Sequence, residues 1–148
     1  MIKPLLIFAW GNPSRGDDAL GPLLIERIEA LNLPGVECLT DFQLQVEHAL
    51  DLAGRKRVLF VDASLDAAAP FTVAAIGPVK DASFSTHAMS PAAVLEVHRQ
   101  LTDEEPPPTW LMGIRGEKFE LGEPLSATAA EHLHAAVEWT AAWATTGS

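Results

Sequence analysis

The sequence predicts one α/β domain, a three-layer α/β/α sandwich around a mostly parallel, roughly five-stranded twisted sheet. Three observations predict it. Short apolar runs alternate with stretches whose apolar residues recur at helical spacing, the pattern of a sheet covered by helices on both faces. The chain has 148 residues, the size of a single domain (1–148). It is 48% hydrophobic, enough for a sizeable core.

"LLIFAW", Leu5 to Trp10, is a continuous apolar run, as expected of a central strand buried on both faces. "ALGPLLIERIEAL" follows with Leu20, Leu23, Leu24, Ile28 and Leu31 on helical spacing, and Pro22 falls in the first turn, where a missing N–H costs little. "GVECLT" is a short second strand after the turn at Pro34-Gly35. "LQVEHALDLAG" reads as a short helix closed by Gly54. "RVLFVDAS", Arg57 to Ser64, is a second buried strand, and "FTVAAIGPV" a further one between Pro70 and Pro78. "SPAAVLEVHRQL" is a helix with Pro91 in its first turn. "TWLMGIRG" is the last strand, after three prolines, and "SATAAEHLHAAVEWTAAWA" is a long terminal helix capped by Ser126. There is no internal repeat and no low-complexity linker.

Composition excludes several classes of function. Ten Lys and Arg stand against twenty Asp and Glu, a formal net charge of -10. Such a field repels nucleic acid and anionic membranes and attracts cations or basic partners. No apolar run approaches the roughly 18 residues of a membrane helix. The start lacks a signal-peptide cleavage site, so a cytoplasmic protein is expected. The single cysteine, Cys38, allows no disulfide within the chain and fits a reducing compartment. It reads as a small buried residue in a strand.

Polar residues gather where the strands end. After the first strand come Asn12, Arg15, Asp17 and Asp18; after the second, Asp41; at the end of the third, Asp62 and Ser64. Ser85 and His87 follow the fourth. Open parallel sheets place their ligands beyond the carboxyl ends of the strands. Two carboxylates and one imidazole form a mixed O/N donor set that suits Ni, Zn, Fe or Co better than Mg. Each residue also has a plainer reading. Asp17 or Asp18 can cap the following helix. Asp62 can turn back onto its own backbone, and His87 can be a hydrogen-bonded loop residue.

Other chemistries have no motif. There is no G-x-G-x-x-G, no phosphate loop with its Lys, no G-x-S-x-G elbow and no H-E-x-x-H. His48 and His98 read as solvated helix positions, and His132 and His134 as surface residues. Trp139 and Trp143, four apart, read as one apolar stripe.

"GNPSRGDDALGP" after the first strand, "FVDAS" on the third and "STHAMSP" before a helix together resemble the hydrogenase maturation proteases. The late "GIRGEKFELGEPLS" resembles that family's ending. The resemblance covers almost the whole chain. It implies an endopeptidase that trims the C-terminus of a nickel-iron hydrogenase large-subunit precursor after nickel insertion, on a mixed five-stranded sheet. It places the family's metal-site positions at Asp18, Asp62 and His87, and gives Asp17, Asn12, Arg15 and Asp41 supporting or substrate-binding roles. The nickel it implies is carried by the substrate precursor and not by the free enzyme. Hydrolysis is then expected from a water activated by the metal, by Asp62, or by both. One departure stands out. Many members carry a Gly-rich turn after the second strand, whereas this chain keeps Asp41 and continues "FQLQ". That version looks like a subgroup serving cytoplasmic, cofactor-linked hydrogenases.

Three other readings compete. A nickel carrier in hydrogenase assembly would need the same three ligands and no proteolysis. A metal-dependent hydrolase of small substrates would need no protein partner. A peptidyl-tRNA-hydrolase-like enzyme also places "GN" after its first strand, but needs a basic face that this acidic chain lacks.

Overall fold

The computed structural model describes residues 1–80 and 89–146. Five strands form one sheet: β1 (Leu5–Trp10), β2 (Val36–Asp41), β3 (Arg57–Ser64), β4 (Phe71–Ile76) and β5 (Thr109–Arg115). Their order is β2-β1-β3-β5-β4. β1, β2, β3 and β5 run parallel, and β4 is antiparallel to β5. The odd direction has a simple cause. Only residues 65–70 separate β3 from β4, too few for a parallel crossover, which takes about a dozen.

Three helices complete the layers: α1 (Leu20–Ala30), α2 (Pro91–Thr102) and α3 (Ala127–Thr145). α1 and α3 cover one face of the sheet, where Ile7, Val61, Met112 and Ile114 meet Leu24, Ile28 and Leu133. α2 and a 3-10 segment (Val46–Leu52) cover the other, where Phe8, Phe60 and Val58 meet Leu52, Val94 and Leu95. Leu6, Ile7, Leu59 and Phe60 are fully buried, as a central parallel strand requires. Side chains of adjacent residues point to opposite faces, so each apolar run feeds both cores.

Local signals act as expected at two helix starts. Ser90 accepts from Ala93 N–H at 3.1 Å with Pro91 behind it, and Ser126 accepts from Ala129 N–H at 3.1 Å. Trp139 and Trp143 pack inward, against Phe71 and Trp110 at centroid distances of 6.2 and 6.0 Å. Cys38 is half-buried, and burial first, then the Glu29 charge, push its thiol up to about 11. That is an inert thiol.

Several expectations need correction. The segment around Val46–Leu52 winds as a 3-10 helix, and β4 ends at Ile76. His48, His98 and His132 are not solvated but buried. His98 Nδ1 lies 3.3 Å from Ala49 O and His132 Nδ1 2.9 Å from Arg115 O. Each imidazole ties its element to a neighbouring backbone carbonyl, which the local sequence does not announce. Among the described histidines only His134 is exposed, beside Glu138 at 2.7 Å. Among the described residues, no helix is long and apolar enough to cross a membrane.

Candidate active site

The strand order reverses at β1. From β1 the chain moves outward to β2, then returns to β3 on the other side. The carboxyl ends of β1 and β3 therefore flank the switch point, where the connections leave the sheet in opposite directions and open a crevice. Asp18 follows β1, and Asp62 lies near the end of β3.

The turn after β1 is built to aim Asp18. Gly11 has φ +152°, and a Cβ there would lie 2.1 Å from Asp18 O, so only glycine fits. Asn12 Oδ1 accepts from Ser14 N–H at 2.9 Å, an Asx turn. Arg15 N–H donates to Asn12 O at 3.1 Å, and Asp18 N–H to Arg15 O at 3.0 Å. The Asn12 N–H then donates to Asp18 Oδ2 at 2.7 Å. Asn12 thus orients the carboxylate through its backbone. The Arg15 side chain is exposed at the rim and forms no ion pair among the described residues.

Asp17, one residue earlier, faces the opposite task. Its carboxylate is 0% exposed. Oδ2 accepts from Glu117 N–H at 2.7 Å, Lys118 N–H at 3.1 Å and Ser126 Oγ at 2.8 Å; Oδ1 accepts from Ser126 N–H at 2.8 Å. Burial alone raises its pKa, but these four donors outweigh burial and the pKa is lowered. Asp17 staples the segment after β5 and the start of α3 onto the β1 turn. Neither Asp17 nor Asp18 caps α1, so the capping reading fails for both.

Asp62 is half-buried beside Trp10. Burial, then the Asp18 charge, push its carboxyl up to about 7; the Ala63 N–H and the Trp10 side chain pull the other way. It lines a cleft of about 360 Å³ with Trp10, Ser64, Thr72, Ala74 and Gly113. Larger hollows open at the other end of the sheet, near Val36 and Arg57, away from Asp18 and Asp62.

Asp41 ends β2 opposite Trp10, and Ala9 opposite Val61 places Trp10 beside Asp62. Asp41, Trp10 and Asp62 thus form a row on one sheet face. Asp41 is exposed, and its Oδ2 lies 3.1 Å from His48 Nε2. His87, the expected third metal-site residue, lies outside the described residues, as does Ser85. Among the described residues, no group of three or more His, Cys, Asp or Glu is placed to hold a metal ion. Asp18 and Asp62 are two of the three expected donors.

The sequence reading missed two contributors. Ser126 was visible as a helix cap but not as the partner of Asp17. His48 was read as solvated beside Glu47, because its partners Asp41 and Phe8 lie on other elements.

No protein-family model matches the chain, and no curated protein matches it. Solved structures do. The NiFe hydrogenase maturation protease HycI from Thermococcus kodakarensis KOD1 superposes with a TM-score of 0.75 at 25% identity, covering 97% of this chain and 94% of that one. The hydrogenase maturating endopeptidase HybD from E. coli gives a TM-score of 0.72 at 25% identity, with 94% and 90% covered. An endopeptidase from Escherichia coli, solved in solution, gives 0.66 at 27% identity, with 92% and 88% covered. By its fold, over nearly its whole length, the chain is a structural relative of the hydrogenase maturation proteases.

Proposed function

We propose that the chain is an endopeptidase that removes the C-terminal extension of a nickel-iron hydrogenase large-subunit precursor after nickel insertion, and that it recognises the nickel. One observation carries the reading. At the switch point of the sheet, burial and the Asp18 charge hold the Asp62 carboxyl near neutrality, at about 7. Two carboxylates that crowd each other are stabilised by a cation between them, which draws Asp62 back to its charged, proton-accepting form.

The nickel enters as part of the substrate. Asp18, Asp62 and His87 are the residues proposed to hold it. Bound there, it would supply Lewis acidity to a nearby water and to the scissile carbonyl. The chain's own groups do the rest. Asn12 N–H fixes Asp18, and the Asp17 staple fixes the turn that carries it. Asp62 takes the proton from the attacking water. Arg15, exposed at the rim, contacts the precursor. The net charge of -10 draws in a metal-loaded partner. Affinity then depends on a metal that only a loaded precursor carries, so unloaded precursor is rejected for want of that ligand.

The test is a cleavage assay read by intact mass. Purified protein is mixed with a hydrogenase large-subunit precursor from the same organism, with and without nickel. The expected result is loss of a C-terminal peptide from the nickel-loaded form only, abolished by Asp62→Ala or His87→Ala. Loss regardless of nickel removes the recognition role. No loss, together with firm nickel binding by the protein alone, replaces the peptidase with a carrier.

A further inference from the structure

We infer that His48 is a positioning residue that locks the Asp41 carboxylate into a recognition point for a cationic side chain of the substrate protein. The inference rests on the peptidase reading and extends it to how the protein partner is gripped.

The geometry begins with the proton on His48. Its Nδ1 accepts from the Gln45 backbone N–H at 2.7 Å. That nitrogen is therefore an acceptor, and the ring hydrogen sits on Nε2. Nε2 lies 3.1 Å from Asp41 Oδ2, so it donates to it. The ring cannot swing away. It packs edge-on against Phe8 at a centroid distance of 4.5 Å, and its side chain is only 10% exposed. The second carboxylate oxygen, Oδ1, accepts from Phe42 N–H at 2.7 Å.

The result is a carboxylate held at both oxygens, yet 45% exposed as a side chain. Each oxygen keeps a free lone pair, enough for the fork of an arginine or for a lysine ammonium. Among the described residues no Lys or Arg pairs with Asp41. Arg55 is committed to Glu37 at 2.6 Å and to Asp51 O at 2.9 Å. The backbone of the strand end is held separately, by Gly11 N–H to Asp41 O at 3.1 Å.

The surroundings fit a long cationic side chain. Phe42, Val46 and Leu50 are exposed at 64%, 54% and 67%. Phe42 follows Asp41 directly, so its exposed ring lies within reach of the aliphatic stem and the charge of a Lys or Arg held there. Asp41 lies two strands from Asp62, about 10 Å at the usual strand spacing. Three residues of extended chain span that distance. The cation thus belongs to the precursor close to its cleavage point.

The experiment measures kcat and KM on nickel-loaded precursor at about 50 and 300 mM NaCl. Asp41→Asn is expected to raise KM about tenfold at low salt, the scale of one charged hydrogen bond, with kcat changed less than about twofold. Wild-type KM is expected to rise with salt as the pair is screened, and that of Asp41→Asn to rise less steeply, since only the general attraction of the acidic chain remains. His48→Ala is expected to raise KM about fivefold in the same manner, and His48→Gln to restore it to within about twofold, since its amide N–H reaches toward the same oxygen. An Asp41→Asn enzyme with wild-type KM and salt dependence overturns the inference alone. Equal loss in His48→Ala and His48→Gln, carried by kcat or by melting temperature, makes His48 structural and overturns its positioning role. If His48→Ala does not fold, Asp41→Asn and His48→Gln decide. A wild type that cleaves no precursor removes the peptidase reading, and this inference with it.

Discussion

Asp17 and Asp62 are both carboxylates withdrawn from water at the carboxyl end of the same sheet, and they are treated in opposite ways. Asp17 is fully buried and receives four hydrogen bonds from Glu117, Lys118 and Ser126. Its pKa is lowered despite burial. Asp62 is less buried, has fewer donors and faces another carboxylate; its pKa rises to about 7. Burial acts on both, so the difference lies in the donors. One carboxylate is saturated by the fold and holds it together. The other is left wanting a proton or a cation, and pairs pushed apart in this way separate structural from reactive roles. Asp18, adjacent to Asp17 in sequence, works with Asp62 and not with its neighbour.

The largest effect expected of this division is on activity. Asp62→Asn keeps the size of the side chain and removes both its charge and its basicity. Cleavage of nickel-loaded precursor should fall by at least about 100-fold, the lower end for loss of a general base, with the melting temperature undiminished. An Asp62→Asn enzyme within tenfold of wild type would remove Asp62 from the chemistry. Asp17→Asn should do the reverse. It retains the shape but leaves backbone N–H groups of the 117–126 segment without their acceptor. A loss of about 3 kcal/mol is expected, or roughly 8 °C in melting temperature for a chain of this size, measured by thermal unfolding. Equal stability in Asp17→Asn would mean that the staple is redundant.

The two carboxylates also predict opposite responses to pH. The folded pKa of Asp17 is depressed, so its stabilisation is present above about pH 4 and is lost as pH falls through the folded value. For Asp62 the ordinary value of 3.8 rises to about 7 on folding. Between those values the folded state binds a proton that the unfolded state does not, so stability falls as pH rises. Asp62→Asn removes that penalty. It should be more stable than wild type by about 2 kcal/mol at pH 8, allowing for the solvent that reaches a half-buried group, and no more stable near pH 4. Urea unfolding of the nickel-free protein at the two pH values checks both the sign and the crossover.

Much of this was legible in the sequence, for identifiable reasons. β1 and β3 are continuous apolar runs buried on both faces, and their observed limits, Leu5–Trp10 and Arg57–Ser64, match the runs. Asp17, Asp18, Asp41 and Asp62 stood out because a strand end is a place for polar residues with work to do; the family resemblance alone set Asp18 apart from Asp17. Direction was harder to read. The antiparallel β4 followed from the short connection at residues 65–70, a length that the sequence displays. What could not be read depended on distant partners. Asp17 meets Glu117 100 residues later and Ser126 109 residues later, and no local pattern encodes that. His48 lies in a short segment of mixed polarity, and its burial depends on the packing of Phe8, a residue of another element, against it. The 3-10 winding of Val46–Leu52 suits a segment too short to nucleate an α-helix alone and held in part by the Gln45–His48 contact.

The smallest expected effect is the most discriminating. Burial is the larger cause of the high Asp62 pKa and the Asp18 charge the second. Asp18→Asn removes only the second. A carboxyl titration of Asp62 followed by NMR should then show a value below that of wild type, yet still above the ordinary carboxylate range. A fall all the way to that range would make charge crowding the dominant cause, and Asp17 and Asp62 would differ by their neighbours' charge before their donors. No movement at all would mean that Asp18 and Asp62 do not sense each other. The two carboxylates would then not form one site, and a single cation shared between them would lose its physical basis.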